Sequence, residues 1–465
     1  MREKSLKWMI GSLFIIAILI TGIWLGIHAL KSRTAATQTV STQAQDEPTP
    51  VSFERQIPQP ADPTEFAENE PTPDVPTQQI PPTIQPTDHL PVEPTPDSEI
   101  QQGKTEEDLL KEYIAGMSIQ DKLGQLVMFG FQGTSTVSKD FKNILSKYHV
   151  GNVVLYGTNI FKSDDSGGFD TARRLTGRLE KANETGIPLL ISIDIEGGVV
   201  LRFRWHNAPN SARTLGKKND YDLAYSQFLR VGQKLRDVGI NMNLAPVLDI
   251  SENAMKTVLR SRIISGDPEV AANIGNAVIS ALRDAGCLST AKHFPGHGGT
   301  TQDSHATTPI IRKSLKEMKE YDLIPFQAAV DNGVDTVLVA HISYPKIDDQ
   351  NIASLSEFFI TQLLREEMGH TGLIMSDDFR MAGVTSQHTV GDAAVQFILA
   401  GGDIILCGPR HDLQGKIMEG LTNAAESGAL TEARLDESVF RILSKKMKVT
   451  SWNPVGGSSP SDSNG

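Results

Sequence analysis

Cysteine is scarce in this chain of 465 residues: there are two, Cys287 and Cys407. Each lies inside an apolar run, where a free thiol behaves as a small hydrophobe. No disulfide framework is required, and the count does not fix the redox compartment. Positive charge is scarce as well. The formal net charge is −12 and no basic patch stands out, which argues against a nucleic-acid partner. The glycine-rich phosphate loop of dinucleotide-binding folds is missing, so no nucleotide cofactor is expected. No His-x-His pair marks the first apolar run, as it does in many barrel metallohydrolases. His293 and His297 are four apart, the helical spacing for a zinc pair. Pro295 and Gly296 lie between them and disfavour that helix, so no metal is expected either.

The acidity is concentrated. Residues 35–103 hold twelve Asp/Glu against one Arg, and fourteen prolines. A segment of that composition buries too little surface to offset its ordering entropy and is expected to be an extended, disordered linker. Before it, Trp8 to Leu30 reads WMIGSLFIIAILITGIWLGIHAL. This is long enough for one transmembrane helix and longer than the apolar core of a signal peptide. We read 1–34 as an uncleaved membrane anchor. Arg2, Lys4 and Lys7 before the span and Lys31 and Arg33 after it bias orientation weakly. An extracytoplasmic catalytic domain on a single-pass anchor fits the stalk-like linker.

Residues 104–450 are expected to form one large domain, followed by a flexible tail over 451–465. Eight short apolar runs recur, at 125–131, 151–157, 187–194, 239–246, 287–294, 335–341, 372–378 and 402–408. Most are continuous rather than alternating, as in strands buried on both faces. Amphipathic helical patterns lie between them. One spans 220–239; another spans 268–286, with Asp267 as N-cap and Pro268 at the first position. Both end at glycine. Eight strand–helix units in this length predict a (β/α)8 TIM-type barrel; an open doubly wound sheet is the alternative.

Polar residues fall at the ends of these runs. Asp194 ends the third, Lys292–His293 the fifth, His341 the sixth, and Asp377 and Asp378 the seventh. In a barrel, all strand C-termini open onto one face, where the active site lies. Downstream, Asp303-Ser304-His305 places a carboxylate and an imidazole two residues apart, on one side of an extended segment. The carboxylate would fix the tautomer of the imidazole and raise its pKa, suiting it to acid/base work near neutral pH. Gly296, Gly298 and Gly299 suit a loop able to swing that pair over a substrate. Taken alone, an Asx-type turn explains D-S-H equally well.

KHFPGHG at 292–298 followed by DSH resembles the bacterial β-N-acetylglucosaminidases of glycoside hydrolase family 3. DIEGG at 194–198, APVLDI at 245–250, Arg262 before SGDP, AHISYP at 340–345 and SDDFRMAG at 376–383 match in the same order. The resemblance covers roughly 107–447 and implies a (β/α)8 barrel of the single-domain type. It implies Asp377 as the nucleophile, His305 as the general acid/base and Asp303 as its partner. Asp194, Arg202, Arg262, Lys292 and His293 would hold the sugar, with His341 beside them. The activity implied is a retaining exo-β-N-acetylhexosaminidase acting on muropeptides or related small glycans, without metal or cofactor, as a monomer. A β-glucosidase or glycoside phosphorylase of the same family, or a non-catalytic cell-wall-binding module, are the rival readings. The family usually has D-Q-E-G-G-R where this chain has Ile195 and Val199, so two polar groups near the sugar site are replaced.

Overall fold

The computed structural model describes residues 104–160, 166–300, 302, 307–386 and 388–454. The apolar run at 8–30, the acidic linker, Asp303, His305 and the last residues of the tail lie outside them. Among the described residues no helix is long and apolar enough to cross a membrane.

The strands are β1 (Val127–Gly130), β2 (Asn152–Leu155), β3 (Leu190–Ile193), β4 (Ile195–Gly197), β5 (Val200–Leu201) and β6 (Met242–Asn243), then β7 (Thr290–Phe294), β8 (Thr336–Val339), β9 (Ser343–Tyr344), β10 (Asp348–Ile352), β11 (Leu373–Ser376) and β12 (Ile405–Cys407). Every one of the eight apolar runs contains a strand: β1, β2, β3, β6, β7, β8, β11 and β12. Seven of these are buried along their whole length in the same way as β1, and β6 is buried at both of its residues. That is the burial the continuous apolar runs predict.

They form two parallel sheets, in the orders β12–β1–β2–β3–β6 and β11–β8–β7. Single parallel bridges link the sheets at both edges. Met242 of β6 pairs with Leu288, and Met375 of β11 pairs with Ile404. Backbone bonds reinforce both junctions: Leu288 N donates to Asn241 O at 2.9 Å, and Ser376 N to Ile404 O at 2.9 Å. The α/β architecture with parallel strands is therefore as expected.

Two antiparallel hairpins were not foreseen. One pairs β4 with β5, the other β9 with β10. The first follows β3 directly and returns the chain across the strand ends.

The two helices predicted between runs are Tyr221–Asp237 and Pro268–Asp284. Asp220 and Asp267 cap them, each accepting from backbone N–H groups of the first turn. The following glycines, Gly239 and Gly286, have φ of 76° and 70°, the left-handed geometry that ends helices at glycine. The last helix, Glu432–Val449, lies against the start of the domain. It carries Lys445, Lys446 and Lys448 to the N-terminal ends of the strands.

Candidate active site

The C-terminal ends of the strands surround a cavity of about 300 Å³. Its lining brings together Asp194, Arg202, Arg262, Lys292, His293 and Asp377, residues separated by up to 183 positions in sequence. Asp194 follows β3, Lys292 and His293 belong to β7, and Asp377 is the first residue after β11.

Lys292 is the hub of the charged wall. Its Nζ lies 2.8 Å from Asp194 Oδ1 and 2.6 Å from Glu196 Oε1, and the side chain is 3% exposed. Arg202 reaches the other oxygen of Asp194 at 3.0 Å. Arg262 grips Glu196 with two bonds, 2.7 and 2.9 Å, the fork geometry that suits guanidinium and carboxylate. Burial disfavours ionisation of Asp194 and Glu196. Lys292, together with Arg202 at Asp194 and Arg262 at Glu196, outweighs it, so both pKa values lie below the ordinary carboxylate range. Burial likewise disfavours the charged form of Lys292, but the two carboxylates hold its pKa above the usual value. The result is a fixed set of charges that needs no rearrangement when a polyhydroxylated ring arrives.

Local structure explains why Arg202 reaches Asp194. The β4–β5 hairpin folds back with Ile195 opposite Leu201. Its turn holds Gly197 and Gly198 at φ of 86° and 60°. A Cβ at Gly197 would fall 2.1 Å from Asn210 O, so the paired glycines are required by both dihedral and space. Val199 sits at the tip, 77% exposed, while Ile195 is fully buried. Thus one of the two replaced polar positions points into the core and the other into solvent.

Asp377 is half-buried beside imidazoles. Burial opposes its ionisation. His293, His341 and the Asp378 N–H, which donates to its Oδ1 at 2.8 Å, act the other way, and its pKa lies below the ordinary value. It therefore stands ready as an anion at the cavity wall. Asp378 also borders the cavity, but its oxygens are taken up: they accept from Tyr156 Oη, from Gly408 N and from three donors of Arg380. It ties the loop after β11 to the ends of β2 and β12 and so holds Asp377 in place.

His341, expected among the sugar-binding residues, does not line the cavity. It is fully buried, its Nδ1 lies 2.7 Å from Ser354 Oγ, and Phe379 packs on its ring. Burial keeps its pKa low, with Asp377 opposing. It backs the wall behind Asp377 rather than reaching a sugar. Sequence reasoning also missed four residues that line or brace the cavity: Glu196, Asp249, Tyr156 and Arg380. Glu196 and Asp249 stand inside the quoted motifs DIEGG and APVLDI, so a carboxylate just beyond an apolar run was the available signal. Tyr156 and Arg380 gave none beyond their place at strand ends. Among the described residues no cluster of His, Cys, Asp and Glu is arranged to hold a metal ion.

Residues 118–445 match the model of the glycosyl hydrolase family 3 N-terminal domain. Beta-hexosaminidase A of Pseudoalteromonas piscicida is 30% identical over 344 residues, covering 68% of this chain and 56% of that protein. A beta-hexosaminidase of Thiobacillus denitrificans is 31% identical over 312 residues, covering 64% of this chain and 81% of the relative. The solved structure of a family 3 β-N-acetylglucosaminidase from a Paenibacillus species superposes with a TM-score of 0.69 at 34% identity, covering 75% of this chain and 66% of the other. The chain thus spans little more than half of the first relative and about two thirds of the Paenibacillus protein. With the family model covering most of the folded domain, this chain belongs to glycosyl hydrolase family 3.

Proposed function

We propose that the protein is an exo-acting β-N-acetylhexosaminidase that removes a non-reducing terminal N-acetylglucosamine by a retaining, two-step mechanism. The observation that carries this reading is Asp377: a half-buried carboxylate, its pKa held below the ordinary value, in the lining of a cavity shared with the Lys292–Asp194–Arg202 set. The relatives named beta-hexosaminidase and the β-N-acetylglucosaminidase neighbour supply the sugar.

In the first step Asp377 attacks the anomeric carbon, and a glycosyl ester forms as the bond to the leaving oxygen breaks. Asp194, Lys292, Arg202 and His293 hold the ring hydroxyls. Protonated His305, partnered by Asp303, gives its proton to the departing oxygen. In the second step the same imidazole, now neutral, takes a proton from water as that water displaces Asp377. A neutral imidazole, unlike a second carboxylate, does not repel an anionic acceptor approaching the glycosyl ester in the second step.

Eight parallel strands, bridged at both sheet edges, support a closed (β/α)8 barrel as the scaffold. The apolar run at 8–30 and the acidic, proline-rich segment after it support a membrane-tethered enzyme acting outside the cytoplasm; we propose that it acts there as a monomer on peptidoglycan fragments.

Hydrolysis of a chromogenic N-acetylglucosaminide beside the matching glucoside tests the reading. Cleavage of the former is expected. Activity on the glucoside alone overturns the sugar assignment, and turnover of neither overturns the enzymatic one. A slow fluorinated substrate should leave its mass on a peptide containing Asp377; a label on another residue would remove Asp377 from the role of nucleophile.

A further inference from the structure

We infer that Glu196 is a positioning residue: it spends its carboxylate on Arg262 and Lys292, sets the edge that each cation turns toward the sugar, and makes no contact with substrate itself. The inference rests on the proposed sugar-holding roles of Arg262 and Lys292.

Glu196 is the middle residue of β4 and lines the cavity, yet its side chain is 3% exposed. Its Oε2 accepts from Arg262 Nε at 2.7 Å. Its Oε1 accepts from Arg262 Nη2 at 2.9 Å and lies 2.6 Å from Lys292 Nζ. A carboxylate offers about four acceptor sites, and these cationic approaches take up most of them. Burial opposes its ionisation, and Lys292 and Arg262 outweigh that, so at neutral pH it holds no proton to give. Asp194 is the contrast. Each of its oxygens meets one cation, Lys292 at 2.8 Å and Arg202 at 3.0 Å, and its side chain is 15% exposed. Asp194 keeps acceptor room for a sugar hydroxyl; Glu196 keeps little.

The donors left over follow from the same geometry. An ammonium has three N–H groups. With two carboxylates beside Lys292 Nζ, one remains for a ligand. The Glu196 fork occupies Nε and Nη2 of Arg262, and Nη2 makes only a long, weak approach of 3.4 Å to His293 Nε2. Among the described residues nothing bonds Arg262 Nη1. A planar guanidinium forked onto two oxygens has its orientation fixed, so Nη1 is the edge presented to substrate. The fork also holds a loop. Arg262 ends the tight turn Arg260–Arg262 in the chain after β6. There Ala254, Leu259 and Ile263 form a small apolar cluster apart from the main core. Thr257 Oγ1 accepts from Leu259 N and Arg260 N, each at 3.3 Å. The loop is thus packed on itself, and the ion pair ties it to the β4–β5 hairpin. Val258 and Leu259 of this loop line the cavity, so losing the fork would shift an apolar wall together with the cation.

A purely structural Glu196 would lower the melting temperature and leave affinity alone. The test compares wild type, Glu196→Gln, Arg262→Met and the double variant. It reads calorimetric affinity for N-acetylglucosamine, KM and kcat on a chromogenic N-acetylglucosaminide, and thermal unfolding. Glu196→Gln should weaken affinity and raise KM about 10- to 100-fold, the range for outer groups that orient metal ligands, with kcat moving less than KM. The double variant should bind more tightly than the product of the two single losses predicts, by about 2- to 100-fold, the coupling of residues in one ion-pair network. Losses that multiply in full mean that Glu196 acts independently of Arg262, and overturn the inference. So does a folded Glu196→Gln with wild-type affinity and KM. Glu196→Asp, which keeps the charge but falls one methylene short of the fork, is read in the same way should the Gln variant fail to fold. The affinity arm needs no turnover. Wild type that binds the sugar but cleaves no glycoside therefore overturns the proposed function alone, and wild type that does not bind the sugar overturns both.

Discussion

Lys292 reaches two carboxylates at once, Glu196 buried and Asp194 half-buried, and each has one further cationic partner. Replacing it with Met would leave Asp194 dependent on Arg202 and Glu196 on Arg262, in a wall of low dielectric. Removing one member of a buried ion cluster costs about 3–5 kcal/mol, so Lys292→Met should lower stability by that order in urea unfolding as well as raise KM. Acid should act on the same cluster. The pKa values of Asp194, Glu196 and Asp249 are depressed in the folded state. Their contribution is therefore present above the unfolded values of 3.8 to 4.5 and is lost as pH falls through the lower folded values. Lys292→Met should flatten that acid limb; a variant as stable as wild type at neutral pH would contradict the hub role. The single residues were partly legible beforehand. Asp194, Lys292, His293 and Asp377 announce themselves as charges interrupting apolar runs. Glu196 and Asp249 do so less clearly, because whether a buried carboxylate meets substrate or a neighbouring cation is decided by partners 44 to 96 positions away. His341 shows the converse: a histidine at a strand end that the fold turns inward onto Ser354.

At the scale of the element, the β4–β5 hairpin decides the site more than any helix does. It delivers Glu196 and Arg202 to the cavity from a turn of two glycines. At Gly197, φ of 86° and an approach of 2.1 Å to Asn210 O leave no room for a methyl. Gly197→Ala should cost about 1–3 kcal/mol of strain, and should raise KM by displacing Arg202 from Asp194. Val199→Ala, two residues on at the exposed tip, should shift stability by less than about 0.5 kcal/mol. Equal melting temperatures for the two variants would count against the turn as a positioning device. This hairpin was hidden in the sequence because β4 begins two residues after β3 ends, and the apolar run reads as one strand. The eight parallel strands were visible because burial on both faces requires continuous apolar sequence, a constraint that the partly exposed hairpin strands β5, β9 and β10 do not carry. Their helices were visible through Asp caps and closing glycines, which are local chemistry.

At the scale of the whole molecule, the end opposite the site is held by one helix. Lys445 and Lys448 of Glu432–Val449 meet Asp335, just before β8, each at 2.9 Å. Lys446 enters the interior near the starts of β1 and β2, with Nζ 2.6 Å from Gln125 Oε1 and 2.8 Å from Gly151 O. Lys122 answers from the start of the domain, paired with Glu432 and Asp436. No local pattern foretells these partners, since they lie up to 321 positions apart and are set by chain closure. Lys446 differs from the others in having no carboxylate in contact. Burial pulls its pKa down to about 7, opposed only by Glu180 at longer range. The unfolded value is the ordinary 10.5, so between about 7 and 10.5 the unfolded chain holds more protons than the folded one. Stability must then rise with pH across that window, by about 1.4 kcal/mol per unit at most, and below pH 7 the full cost of burying the ammonium is present. Lys446→Met removes the titration but strands two acceptors, which costs about 1–3 kcal/mol for each one left unpaired. The wild type should therefore gain on the Met variant as pH is raised from 7 to 9 in paired unfolding curves. A difference that stays constant over those two units would mean that Lys446 remains charged in its burial place, held by its bonds to Gln125 and Gly151.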